Sequence, residues 1–283
     1  MNMLRKLVFV AKHFVRSPEY RITFLNWIVH QLKGAEGPEL SIQAPGGRSF
    51  TMAVWKNWAE YEFWKKHKIP ASDGQVIHAA LAKPGRICLD VGANIGLYSL
   101  YFAACGAERV YSFEPAKDNF ERLLKNIENN PALADRIAPF RKAVSDTHQY
   151  LSVYFNAASP GHTKVGIENS GPESCEAVSL DRFCQEESIF RVDLLKMDVE
   201  GFEMHVLAGC KELLSHRRIE IIFFESYDNA LSHYGYGRMD QWSFLDSCSY
   251  HIFSLDGVRL DAQSFCRSDD ADFVATYHEV YPL

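Results

Sequence analysis

From residue 86 onward the chain alternates short apolar runs with longer stretches whose apolar positions recur every three to four residues. The runs at 86–91, 109–113, 137–144, 194–199, 219–224, 251–255 and 272–277 have the length and β-branched or aromatic content of buried strands. Helical periodicity follows at 97–105, 117–129, 202–214 and 239–248. Strand and helix in alternation predict a parallel sheet with crossover helices. Between the third and fourth strands lies an insertion: a strand at 150–155, a polar glycine-bearing loop at 156–172, the apolar Ala177-Val-Ser-Leu, and a short helix from Asp181. Loops of this length in compact domains commonly bind something.

The first 75 residues follow another pattern. Residues 3–15 and 21–33 read as amphipathic helices, the first carrying Arg5, Lys6 and Lys12 with Arg16 just beyond. Residues 40–54 read as a hairpin around Pro45-Gly46-Gly47, and 60–68 as a short aromatic-rich helix. The expected organisation is an N-terminal extension, 1–75, followed by one α/β domain, 76–283. Trp55, Trp58, Tyr61, Phe63 and Trp64 belong either to a core or to a lid over an acceptor.

Composition narrows the partners. Of 283 residues, 47% are hydrophobic and 23% charged, with a formal net charge of −6. Such a balance is ordinary for a globular protein and argues against a phosphate backbone as partner, so no nucleic acid is expected. The seven cysteines are scattered and none forms C-x-x-C, and there is no N-x-[ST] sequon. Together these predict a cytoplasmic protein. No uncharged run approaches the roughly 20 apolar residues of a membrane span. The basic residues 1–33 are suited either to packing across the domain or a homodimer partner, or to peripheral contact with an anionic membrane.

The candidate chemistry sits at strand ends, where open α/β sheets bind ligands. The first strand ends in Asp90-Val-Gly-Ala-Asn-Ile-Gly96, the second in Glu114, the third in Ser145-Asp146, the fourth in Asp198-Val-Glu200, the fifth in Glu225. The dinucleotide fingerprint G-x-G-x-x-G fails, because Asn94 and Leu97 stand where glycines are needed, and a carboxylate at Asp90 repels pyrophosphate. S-adenosylmethionine carries a sulfonium, an ammonium and ribose hydroxyls but no phosphate, and it suits this set. Gly92, Ala93, Asn94 and Gly96 let the backbone approach the ligand closely. Glu114 is placed to accept both ribose hydroxyls, Asp90 to face the cationic end, and Ser145 and Asp146 to flank adenine.

Asp90-Val-Gly-Ala-Asn-Ile-Gly-Leu-Tyr-Ser, Val110-Tyr-Ser-Phe-Glu-Pro, and Leu195-Lys-Met-Asp-Val-Glu-Gly-Phe-Glu with Val206-Leu-Ala-Gly resemble, in order, the FkbM family of S-adenosylmethionine-dependent methyltransferases. The resemblance covers roughly residues 85–225. It implies a class I methyltransferase fold, a Rossmann-like, seven-stranded, mostly parallel sheet with its last strand antiparallel. It also implies O-methylation of a sugar or natural-product hydroxyl.

Residues two apart on a strand share a face, which groups Lys196, Asp198 and Glu200. Asp198 and Glu200 are the leading candidates for aligning and deprotonating the acceptor, and Lys196 for pairing with one of them or orienting the acceptor oxygen. Each has a plainer reading: Glu200 as a helix-start charge, Lys196 as a buried ion-pair partner. His162, in Pro160-Gly-His-Thr-Lys, is a further candidate base. Asp198, Glu225 and Asp228 are a set that can hold Mg²⁺, although spacing does not specify a metal. The acceptor is expected to be a small-molecule or glycosidic hydroxyl. The alternatives are an N or lipid-linked acceptor at a membrane, or a non-catalytic binding protein retaining the fold.

Overall fold

The computed structural model describes residues 39–44, 47–53, 80, 85–154, 163–166 and 171–281. The expected helices at 3–15, 21–33 and 60–68, the aromatics at 55–64 and His162 lie outside the described residues. The chain separates into two compact units, 1–40 with 53–68, and 41–52 with 69–283. The description below concerns the second. Most of the expected hairpin, residues 41–52, falls in this unit.

The main sheet is built from β3 (Ile87–Val91), β4 (Arg109–Phe113), β5 (Ile137–Phe140), β10 (Val192–Met197), β11 (Ile219–Glu225), β12 (His251–Ser254), β13 (Arg259–Leu260) and β14 (Asp272–Thr276). Its spatial order is β13-β12-β14-β11-β10-β3-β4-β5. Strands β5, β4, β3, β10 and β11 run parallel, and β14 enters antiparallel to β11 and to β12. This is the class I methyltransferase arrangement. It has eight strands rather than the expected seven, because β13 folds back onto β12 at the edge. The central strands are mostly apolar because helices cover both faces: every residue of β10 is buried, the charged Asp193 and Lys196 included.

The crossover helices are α1 (Leu97–Cys105), α2 (Lys117–Glu128), α3 (Pro131–Ala134), α4 (Leu180–Glu186), α5 (Glu203–Ala208), α6 (Lys211–Ser215), α7 (Asp228–Leu231), α8 (Arg238–Ser247) and α9 (Ala262–Arg267). Helix α1 is nearly all buried, and Gly106 (φ 118°) closes it. The helix expected at 202–214 is two helices. Gly209 lies so close to Ser145 that a Cβ there would sit 2.2 Å from the Ser145 carbonyl oxygen. Asp181 then accepts from the amides of Glu212 and Leu213, restarting the chain as α6.

The described residues of the insertion include a second sheet. β6 (Ala143–Val144), β7 (Tyr150–Tyr154), β8 (Lys164–Gly166) and β9 (Glu173–Val178) form four strands in the order β6-β9-β7-β8. The strand expected at 137–144 is therefore divided. Its first half stays on β4 and its second half pairs in parallel with β9. Strands β1 (Glu39–Gln43) and β2 (Ser49–Ala53) form the expected hairpin. Asn130 pins it, accepting from the Thr51 amide at 2.9 Å and donating to the Thr51 carbonyl at 2.7 Å. No helix among the described residues is long and apolar enough to cross a membrane.

Candidate active site

At the carboxyl end of the parallel strands a solvent-open cleft encloses about 390 Å³. Gly92, Asn94, Glu114, Pro115 and Asn119 line one side, Asp198, Val199 and Glu200 the other, and Thr163 and Val165 also contribute.

The cofactor side begins at the β3–α1 turn. Gly92 (φ 79°) and Gly96 (φ 94°) take left-handed conformations, and Asn94 (φ 51°) shares them. A Cβ on Gly92 would lie 1.9 Å from the Asp198 carbonyl oxygen, so this glycine lets the first turn press against the end of β10. Four of the turn's amides are already committed. Gly92 and Ala93 donate to the Phe113 carbonyl, Asn94 to a Glu114 carboxylate oxygen, and Gly96 to the Ala93 carbonyl. A pyrophosphate would need those donors, which agrees with excluding a dinucleotide.

Glu114 is 3% exposed. One of its oxygens accepts from the Asn94 amide at 2.8 Å, the other from the Ala116 amide at 3.0 Å. Burial pushes its carboxyl up to about 7, against the pull of those amides, Asn119 and Lys196. The Asn94 and Ala116 amides and the Asn119 side chain leave the carboxylate with acceptor capacity for a ligand hydroxyl from inside the cleft.

Asp90, expected to face a cofactor's cationic end, is not among the residues that line the cleft. It is fully buried, accepts from the Ser99 hydroxyl at 2.5 Å, and lies 3.5 Å from the Lys196 ammonium. Lys196 is buried as well. It lies 3.4 Å from Asp198, donates to the Gly92 carbonyl at 3.1 Å, and sits 5.1 Å from the centre of the Tyr98 ring. Burial lowers its affinity for a proton, but the Asp198 and Asp90 carboxylates outweigh that and raise its pKa. Lys196 is a shared counter-ion beneath the cleft.

Ser145 and Asp146 are likewise not among the lining residues. Their strand has left the main sheet, and Asp146 pairs with His205 at 3.4 Å.

On the acceptor side, Asp198, Glu200 and Glu225 bring carboxylate oxygens within 4.8 Å of one another. That spacing is within reach of a divalent cation. Asp228, expected in such a set, instead accepts from the Arg238 amide at 3.1 Å. Burial pushes the Glu225 carboxyl up to about 9, reinforced by Asp198, Asp272, Glu200 and Glu203.

Three residues at the site carry roles the sequence reading did not assign. Asn119 and Thr163 line the cleft, with the Asn119 amide 3.4 Å from the Thr163 hydroxyl. Asn119 falls on the buried stripe of α2 with Leu123 and Asn126, and a polar residue recurring on an apolar face is the signal that was available. Glu203, 2% exposed, accepts from the amides of Val199 and Gly201 at 3.3 and 3.2 Å. In the sequence it closes the Leu195–Glu203 motif and places a carboxylate inside the first turn of a mostly apolar helix.

The Methyltransferase FkbM domain model matches residues 90–252, more than half of the chain. The hexuronic acid methyltransferase AglP of Haloferax volcanii is 29% identical over 143 residues, which cover 50% of this chain and 56% of that protein. The 2-O-methyltransferase NoeI of Sinorhizobium fredii is 28% identical over 191 residues, 60% of this chain and 76% of that protein. The match thus spans little more than half the length of the first relative. A solved structure of methyltransferase FkbM from Methylobacillus flagellatus KT is 18% identical, covering 68% of this chain and 44% of that one, with a TM-score of 0.44. On the extent of the family match and the order of its motifs, the chain belongs to the FkbM methyltransferase family.

Proposed function

We propose that the chain transfers a methyl group from S-adenosylmethionine to a hydroxyl of a sugar or related small molecule. The observation that carries this reading is the position of Glu114. A buried carboxylate, held by the Asn94 and Ala116 amides, faces the same cleft as Asp198 and Glu200. The cleft suits this cofactor chemically. Its glycine turn packs against the Asp198 carbonyl, where a Cβ on Gly92 would clash, four of the turn's amides are committed within the protein, and Glu114, Asp198 and Glu200 line it with acceptors for hydroxyls and cations. Relatives named as a hexuronic acid methyltransferase and a 2-O-methyltransferase support a sugar hydroxyl as acceptor.

When bound, S-adenosylmethionine supplies a methyl carbon already activated by its sulfonium. Glu114 takes the ribose hydroxyls, and the turn at 92–96 receives the remainder. Asp198 and Glu200, on the opposite wall, align the acceptor hydroxyl and take its proton. The Lys196 ammonium lies 3.4 Å from Asp198 and pairs with it beneath the cleft.

Calorimetric titration with S-adenosylmethionine, followed by a screen of hydroxyl acceptors with methyl-labelled cofactor, tests the proposal. Micromolar binding and label transfer to an oxygen are expected. Absence of binding would sink the enzyme reading, and label on nitrogen would move the acceptor class.

A further inference from the structure

The segment from Asp198 to Phe202 must do two incompatible things. It has to present Asp198 and Glu200 to the cleft, and it has to turn at once from β10 into α5. It does so through two successive left-handed residues, Glu200 (φ 56°) and Gly201 (φ 100°). The first of these carries a side chain, and a left-handed conformation there costs roughly 1–2 kcal/mol. Gly201 has no room to relax the turn, because a Cβ there would lie 2.3 Å from the Ala230 carbonyl oxygen. The conformation therefore needs something to hold it. Phe202, at the cap position of α5, offers no side-chain hydrogen bond.

Glu203 supplies the hold. A single carboxylate oxygen accepts both the Val199 amide at 3.3 Å and the Gly201 amide at 3.2 Å, the two amides that bracket Glu200. Its second oxygen is buried and has no hydrogen-bond partner among the described residues. No cation pairs with Glu203 among the described residues, and it stands near Asp198 and Glu225 rather than near a base. An acid buried without a cation beside other acids is costly, and the contacts that offset this here are its own backbone amide and the two loop amides. Resting on the methyl-transfer reading above, we propose that Glu203 is the positioning residue of the acceptor-side loop, locking the left-handed turn that aims Asp198 and Glu200 into the cleft. It acts through the backbone and does not touch the reacting atoms.

A carboxamide can replace the accepting oxygen, and a methyl group cannot. The test compares the full chain with Glu203→Gln and Glu203→Ala by amide-resolved hydrogen exchange, with S-adenosylmethionine binding measured alongside. In Glu203→Ala the Val199 and Gly201 amides should exchange at least tenfold faster, while amides in β10 and β11 stay protected. Affinity for S-adenosylmethionine should stay within about threefold, because Glu114 and the turn at 92–96 are untouched. Glu203→Gln should restore protection of both amides. Unchanged exchange in Glu203→Ala would overturn the proposal, as would Glu203→Gln losing protection of the two amides. If Glu203→Ala does not fold, the Gln variant against wild type decides alone. The exchange readout does not depend on cofactor, so a wild-type chain that fails to bind S-adenosylmethionine counts against the function and not against this role of Glu203.

Discussion

Lys196 and Asp90 stand at paired positions of the β3–β10 register, and the Lys196 ammonium lies 3.5 Å from the Asp90 carboxylate inside the sheet. The same ammonium reaches the Gly92 carbonyl and the Asp198 carboxylate, so one buried charge joins the glycine turn to the acceptor loop. Removing one partner of a buried pair costs more than the pair itself contributes, because the other charge is left without compensation. Lys196→Met should therefore lower stability by about 3–5 kcal/mol in denaturant melts at pH 7. A change under about 1 kcal/mol would show that the pair is not the anchor described here.

Gly92→Ala tests the close approach of turn and strand. The added methyl would lie 1.9 Å from the Asp198 carbonyl oxygen, and the φ of 79° disfavours any side chain. Backbone must move, and a loss of about 2 kcal/mol or more is expected, with weakened cofactor binding. A variant with wild-type melting and wild-type affinity would contradict the geometry.

Glu114→Ala should weaken S-adenosylmethionine binding at least tenfold by calorimetry. Because burial pushes the Glu114 carboxyl up to about 7, wild-type affinity should also rise with pH through that value as the better acceptor forms. In Glu114→Gln that pH dependence should disappear. An affinity that ignores both the substitution and the pH would remove Glu114 from the cofactor site.

Asp198→Asn and Glu200→Gln should separate acceptor chemistry from cofactor binding. For the carboxylate that takes the proton, turnover should fall roughly 10²–10⁴-fold. Affinity for S-adenosylmethionine should stay within about threefold in both. Full activity in both variants would place the acceptor elsewhere.

Three raised carboxyls set the direction of the stability profile. Glu114 and Glu203 are pushed up to about 7 and Glu225 to about 9, each chiefly by burial, from an ordinary value of 4.5. Between 4.5 and those values the folded chain holds more protons than the unfolded one, so stability falls as pH rises across that window. The ligand-free protein should melt at a higher temperature at pH 5.5 than at pH 8.5, and Glu225→Gln should flatten the slope. Glu220 acts oppositely. Burial would raise it, but Arg191 and Arg86 hold it below its ordinary value, so its contribution is present above 4.5 and lost as pH falls below. Equal melting temperatures at pH 5.5 and 8.5 would argue against the burial of the three acids.

Much of this architecture is written locally. The strands at β3, β4, β10 and β11 and the helices α1 and α2 follow from apolar runs and helical periodicity that five to twelve neighbouring residues specify. The pairing of the 92–96 turn with Glu114, through the Asn94 amide, is legible for the same reason: a turn and the end of the next strand are close in sequence as well as in space. The eighth strand was not legible, because β13 is two residues long and exists through pairing with β12. Nor was the second sheet, where β8 is three residues inside a polar stretch and gains its identity from β7.

The sequence by itself therefore determined the alternating α/β order, the strand-end acids and the glycine turn, since each depends on spacing within a few turns of chain. Only the tertiary structure decided what those acids do. Register across β3 and β10 turned Asp90 inward onto Lys196, departure of β6 from the main sheet took Asp146 to His205, and the loop's fold gave Glu203 the Val199 and Gly201 amides. A carboxylate's role follows from the donors and charges that surround it, and most of those arrive from distant parts of the chain.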